Sequence, residues 1–213
     1  GDRLTTLTDR STAGNDYTAP ASGDRPRWDT NILNGQPAYF FGGDSDHNYV
    51  KRASHLSGEI EAFFVILLPG TQNGNGFCKF GGSSQASHCC FGGSGGQLYT
   101  DFGANSRTFF SPTSGVTTAG FIHQVVAKTG TNNYLIFENG NTNKSTQTFT
   151  QAWSTTQHQI GASSDSATGN SQTNWWHGWL LEVRLYQGAR STAQRNAILA
   201  ELNARYGITV TNF

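Results

Sequence analysis

Apolar residues in this chain come in short runs, each punctuated by glycine or small polar residues. Gln36-Pro-Ala-Tyr-Phe-Phe41 stops at Gly42-Gly43, and Ala62-Phe-Phe-Val-Ile-Leu-Leu68 stops at Pro69-Gly70. The second run has no polar face, which predicts a central strand over residues 59–68 that is buried on both sides. Gly76–Phe80, His88–Phe91 and Gln97–Phe102 come next, set apart by double glycines at 81–82, 92–93 and 95–96. That punctuation predicts a meander of hairpins. Phe121–Lys128 and Tyr134–Glu138 flank a five-residue hairpin loop, Thr129–Asn133. Asn139-Gly140 then offers two residues that tolerate positive φ, the signal of a tight turn. Residues 145–150 read as a strand with one solvated face, and His158–Gly161 as the start of another. Residues 9–26 read as an irregular polar lead-in, and Ser163 to Thr173 as a long polar loop.

The clear helical signal lies near the end. Ser191-Thr-Ala-Gln194 is a capping box, in which each side chain satisfies a backbone donor of the first turn. Ala193, Ala197, Ile198, Leu202 and Tyr206 fall close to the spacing of one helix face, and Gly207 stops the helix. Gly178–Tyr186 before it reads as one strand. The pattern predicts an all-β body of two stacked antiparallel layers with one C-terminal helix on the sandwich edge.

A chain of 213 residues fits a single sandwich, and no linker divides it, so residues 1–213 are expected to form one domain. The net charge is zero with only 13% charged residues, which leaves no basic footprint and argues against nucleic acid. Fourteen Phe, seven Tyr and five Trp supply enough bulky apolar surface to argue against disorder. No apolar run approaches the ~20 residues of a membrane helix, so no membrane insertion is expected. The chain lacks Met and starts at Gly1, which reads as a processed chain or a fragment of a longer protein. Cys78, Cys89 and Cys90 allow one disulfide, with Cys78 joined to Cys89 or Cys90, or three buried thiols.

Several blocks, in order, resemble the concanavalin A-like lectin/glucanase superfamily, in its laminin-G-like (LamG) jelly-roll branch. They are Asp9–Asp16, Asn34–Gly43, His123–Ala127 with Tyr134–Gly140, Gly178–Tyr186, and the capped helix through Ile208. The resemblance implies a two-sheet antiparallel jelly-roll sandwich. It does not fix function, because this architecture carries lectins, glycosidases and virion parts alike.

Glycosidases of the superfamily alternate carboxylates along one strand. A retaining mechanism needs two carboxyl groups ~5–5.5 Å apart, and alternate strand residues share a face at about 6.8 Å. Glu59 and Glu61 are the best such pair here, but Phe63 and Phe64 stand where a further acid belongs. The pair therefore reads as the solvated start of a buried strand, and the chain as non-catalytic. Glu182, alone between Leu181 and Val183, calls for a structural partner such as an arginine or a backbone amide.

Sugars are held by aromatic faces with a few amide or carboxylate groups in a weakly charged groove or rim. Asn174-Trp175-Trp176-His177 supplies those groups in one place. In a strand, Trp175 and Trp176 point to opposite faces, so one is expected in the core and the other outside. LamG-like domains hold calcium at the loop rim, which the resemblance carries to Asp44 and Asp46. Beyond this candidate Ca2+, no cofactor is implied. The resulting reading is a carbohydrate-binding, lectin-like domain for surface or extracellular glycans or polysaccharides. An adhesion domain of a virion appendage, with virion or cell-surface protein partners, is an alternative. A polysaccharide-cleaving enzyme with an atypical site is a second. All three place the protein outside the cell, on a cell surface or on a virion.

Overall fold

The computed structural model describes residues 2–11, 13–42, 46–53, 59–70, 75–80, 87–91, 98–102, 108–110, 120–127, 134–147, 157–163 and 173–213. Within them, strands β1 (Thr6–Leu7), β2 (Tyr17–Thr18), β3 (Arg27–Leu33), β4 (Gln36–Gly42), β5 (Val50–Ala53), β6 (Ile60–Leu67), β7 (Asn75–Phe80), β8 (Ser87–Phe91) and β9 (Leu98–Phe102) come first. β10 (Thr108–Phe110), β11 (Phe121–Ala127), β12 (Tyr134–Glu138), β13 (Thr142–Gln147), β14 (Gln157–Ile160), β15 (Ala162–Ser163), β16 (Thr173–Trp175) and β17 (His177–Gln187) follow, with helix α1 (Thr192–Tyr206) last. Sheet A runs β13-β12-β11-β6-β17-β4-β3, and sheet B runs β1-β2-β5-β14-β7-β8-β9-β10. β15 and β16 form a small separate ladder. The strand pairings are antiparallel, so the architecture is the expected two-sheet jelly-roll sandwich with one helix.

β6 is the spine, and it is buried along its whole length. Ile60, Ala62, Phe64 and Ile66 face sheet B and join Phe41, Phe77, Phe121, Ile160 and Trp176 in the main core. Phe63 and Val65 point the other way, onto Ile198, Leu199, Leu202 and Tyr206 of α1. The helix therefore lies over the outer face of sheet A, not on the sandwich edge. A strand with apolar residues on both faces needs cover on both, and α1 supplies the second layer. Its buried face is Arg195, Ile198, Leu199, Leu202 and Tyr206, whereas Ala193 and Ala197 are exposed. The ends are as expected: Ser191 caps the first turn in a capping box, and Gly207 terminates α1 at φ 69.

The same outer layer corrects the reading of Glu61. It is not at a solvated strand start but fully buried beneath α1. Arg195 forks onto it at 2.8 and 3.2 Å, while Gln124 Nε2 and the Arg190 amide each donate at 2.6 Å. Four N–H groups thus occupy the carboxylate, leaving it no role as half of a catalytic pair with Glu59. Buried charge is tolerated only when paired in this way.

Of the partners expected for Glu182, the structure supplies arginine, twice over, and a tyrosine hydroxyl besides. Its carboxylate accepts from Arg184 Nε at 2.6 Å, Arg205 Nη1 at 2.7 Å and the Tyr206 hydroxyl at 2.8 Å. Burial alone would raise its pKa, but the Arg184 and Tyr206 bonds and the two arginine charges outweigh it and hold the carboxyl below its ordinary value. A carboxyl depressed in the folded state contributes stability that is full above the unfolded pKa and is lost as pH falls through the folded one. Acid titration below about pH 4.3 should therefore erode stability, and Glu182→Gln should flatten that acid limb. Thermal melts across pH check this; parallel wild-type and variant curves would refute it.

Two turns tie the layers together. Asn34 and Gly35, at φ 48 and 75, form a two-residue turn between Leu33 and Gln36. Asn34 Nδ2 then donates to the Arg205 carbonyl at the end of α1. The β12–β13 loop is three residues rather than two, and Asn139 and Gly140 both take positive φ. Thr211 bridges onto it in parallel, and a Cβ at Gly140 would collide with the Thr211 carbonyl. Cys78 is buried and stands opposite Cys89, while Cys90 stands opposite Gly76. The side chains of Cys89 and Cys90 lie outside the described residues, as do Thr129–Asn133. Among the described residues, no helix is long and apolar enough to cross a membrane.

Candidate functional site

The site is built at one end of the sandwich, where β4 leaves sheet A and the chain crosses to sheet B. Asn48 organises this crossing and is itself buried. Its Oδ1 accepts from the Gly42 amide at 3.0 Å, and its Nδ2 donates to the carbonyls of Arg25 at 3.1 Å and Asp46 at 3.2 Å. The Tyr49 amide donates to the Asp24 carbonyl at 2.9 Å. These bonds fix the flanking rings. His47, at φ 53, and Tyr49 lie against Trp175 with ring centroids at 4.7 and 5.6 Å.

Trp175 ends β16, opposite Ala162, and is half-buried. Trp176 turns inward: its amide donates to the Gly161 carbonyl at 2.8 Å, and its indole is fully buried against Phe41 and Phe77. Alternation thus divides the pair as expected, and it removes Trp176 from the ligand-binding set. A core indole offers no face to a sugar. Gly178 makes the inward turn possible, because a Cβ there would stand 2.6 Å from the Trp176 ring. Asn174 lies in β16, but its side chain is outside the described residues.

His177 stands opposite Gly42 and opens a second aromatic group on the outer face of sheet A. Its ring meets Phe40 edge-on at 5.4 Å, and Trp179 meets the same ring at 4.9 Å. The Arg27 guanidinium sits 4.6 Å above Phe40 and forks onto Asp29 at 2.6 and 2.8 Å. Trp179 Nε1 donates to Asp29 at 3.0 Å. The Arg27 bond holds the Asp29 carboxyl below its ordinary value, against an opposing push from burial and with help from Trp179. This group carries donors, acceptors and ring faces in fixed positions.

His47, Tyr49, Phe40, Trp179, Arg27 and Asp29 were not singled out in the sequence. The signal for Trp179 and His177 was alternation along β17, which puts them on one face. Phe40, Arg27 and Asp29 join through strand pairing between distant segments, and His47 and Tyr49 through the crossing that Asn48 holds. Asp44 lies outside the described residues. Asp46 is exposed beside Gly42, and its charge raises the pKa of Arg27 together with the Asp29 bond, which is the larger cause. Among the described residues, no three metal-ligating side chains gather.

No family model matches the chain, and no curated protein matches it in sequence. Solved structures do match in fold. A variant of a GH54 α-L-arabinofuranosidase soaked with 4-nitrophenyl α-L-arabinofuranoside aligns with a TM-score of 0.63 at 16% identity, over 96% of this chain and 51% of its own. The heptameric SAP-like pentraxin of Limulus polyphemus aligns at 0.55 and 14% identity, over 80% and 79%. A botulinum neurotoxin type C structure, described as needing two ganglioside molecules for cell entry, aligns at 0.53 and 11% identity, over 94% and 51%. The chain thus spans about half the length of two of these neighbours and most of the third. At such identities the likeness is one of fold.

Proposed function

We propose that this chain is a non-catalytic, lectin-like carbohydrate-binding domain of the laminin-G-like kind, acting outside the cell. Trp175 carries the reading. It lies outside the main core, held by tilted ring contacts with His47 and Tyr49, at the rim where the chain passes between the sheets. An aromatic platform with polar neighbours is the surface that binds a sugar's C–H face and its hydroxyls. His177 and the Arg27–Asp29 fork extend the polar choice along the rim. The arabinofuranoside-soaked and ganglioside-dependent neighbours support sugar recognition on this fold, and we carry it to this chain as a proposal.

The non-catalytic part rests on Glu61, whose carboxylate is enclosed by four donors. A glycan array identifies ligands, and titration of a bound glycan then measures Trp175→Ala. Loss of the platform is expected to weaken binding about tenfold while the protein stays folded. Equal affinity in the folded variant would move the site elsewhere. Release of sugars from a polysaccharide by the purified protein would replace the binding reading with the enzymatic one.

A further inference from the structure

Helix α1 covers only part of the outer face of sheet A. It packs on Phe63, Val65 and Ile122, and Leu181 joins the same cluster. Two residues earlier on β17 that cover ends. Among the described residues, Phe40, His177 and Trp179 belong to neither apolar cluster and are half-buried. Register sets Trp179 opposite Phe40, and Phe40 opposite Arg27. Cross-strand neighbours share a face, so these three form one row that runs out to the sheet edge at β3. Aromatic surface left outside the cores is where a ligand or partner is expected to sit.

The row continues into the rim. Trp176 and Leu180 enter the main core, and alternation turns Trp175, His177 and Trp179 the other way. Four residues of extended chain span about 14 Å, which bounds the separation of Trp175 from Trp179. That gap is wider than one sugar ring, and His177 lies within it. The Arg27–Asp29 pair gives Trp179 its polar neighbours. Asp29 accepts from Arg27 Nε and Nη2 and from Trp179 Nε1, and a carboxylate has room for about four such bonds. The guanidinium keeps further N–H donors beyond those spent on Asp29, and its side chain is 42% exposed. Donors and an acceptor thus stand beside a ring whose orientation the Asp29 bond fixes, and the pair carries no net charge. A sugar hydroxyl both donates and accepts, whereas a sulfate or carboxylate only accepts and would meet Asp29.

We propose that Trp179, with Arg27 and Asp29, is a second sugar platform on the outer face of sheet A. The ligand is then a neutral glycan chain long enough to lie over Trp175, His177 and Trp179 together. The inference rests on the rim reading and adds a second subsite and a substrate class to it.

Affinity electrophoresis in arabinan, galactan, xylan and mixed-linkage glucan tests which polymer retards the protein. Calorimetry then follows the oligosaccharides of that polymer from single sugars to hexasaccharides. Affinity is expected to rise at least tenfold from disaccharide to hexasaccharide and to change little with salt. Trp179→Ala and Asp29→Asn should each remove most of that gain and leave disaccharide affinity unchanged. Hydroxyl-radical footprinting read by mass spectrometry supplies a measurement on the unmutated chain: the hexasaccharide should protect both Trp175 and Trp179. No gain with length, an unprotected Trp179, or hexasaccharide affinity unmoved by both variants would overturn the second platform and leave the rim standing. So would array glycans whose binding Trp175→Ala abolishes, with none of the four polymers bound. Unchanged glycan affinity in Trp175→Ala, or no glycan bound at all, would overturn the rim and this inference with it. Self-association that shields Trp179 without any polymer would make the strip a contact between copies and overturn the proposal.

Discussion

Glu61→Ala is expected to remove about 3–5 kcal/mol of stability, because it leaves Arg195 charged and buried without its partner. Arg195 is 8% exposed and sits between the outer face of sheet A and the Phe213 ring, 5.0 Å from its guanidinium. The Arg190 amide and the Gln124 side chain lose their acceptor in the same substitution. Removing a buried polar group's partner costs more than the pair itself contributes, since the remaining group keeps its full desolvation penalty. That asymmetry gives a second arm. Replacing both members, Glu61→Leu with Arg195→Met, should recover most of the loss, as apolar replacements of buried pairs commonly do. Urea melts of the two singles and the double measure the coupling directly. A single-variant loss under about 1 kcal/mol would mean that the layer under α1 is wet rather than dry. Stability here reaches the rim as well: β6 pairs along β17, whose first residues carry His177 and Trp179.

What the sequence made legible was whatever a local signal could specify. The capping box and Gly207 fixed both ends of α1. The uninterrupted apolar run of β6 announced burial on two faces. β3 and β5 left no such mark. Arg27-Trp-Asp-Thr-Asn-Ile-Leu33 mixes charge, amide and aromatic residues because it is an edge strand of sheet A, half-exposed along its length. What makes it a strand is the Asn34-Gly35 turn that folds it against β4. Glu61 was visible as an acid entering an apolar run, but its partner lies 134 residues away, beyond any periodicity. The helix face was likewise misread by counting alanines, which any helix position accepts, instead of the arginine that the buried carboxylate required. At the rim, alternation separated Trp175 from Trp176 but could not bring His47 and Tyr49 beside it. Those contacts belong to the crossing that Asn48 holds, and no local pattern encodes it.

Trp176→Ala should be the second severe substitution, at about 3–5 kcal/mol, the range for deleting a large aromatic from a packed core. The indole is fully buried, with Phe41 at 5.1 Å and Phe77 in edge contact at 4.7 Å. Phe41 belongs to sheet A and Phe77 to sheet B, so the ring bridges the two layers. The backbone around it cannot close the cavity easily. Gly161, at φ 99, and Gly178 are already as near as glycine permits, and a Cβ at Gly161 would run into Phe41. The Trp176 Nε1 has no hydrogen-bond partner among the described residues, so its loss removes no bond. Trp176→Phe should therefore cost much less than alanine, since it keeps most of the apolar volume and discards an unsatisfied donor. Trp175→Ala, one residue earlier, should barely move the urea midpoint while weakening the glycan. Similar losses of stability for Trp175→Ala and Trp176→Ala would contradict the division of labour between platform and core on which the binding proposal depends.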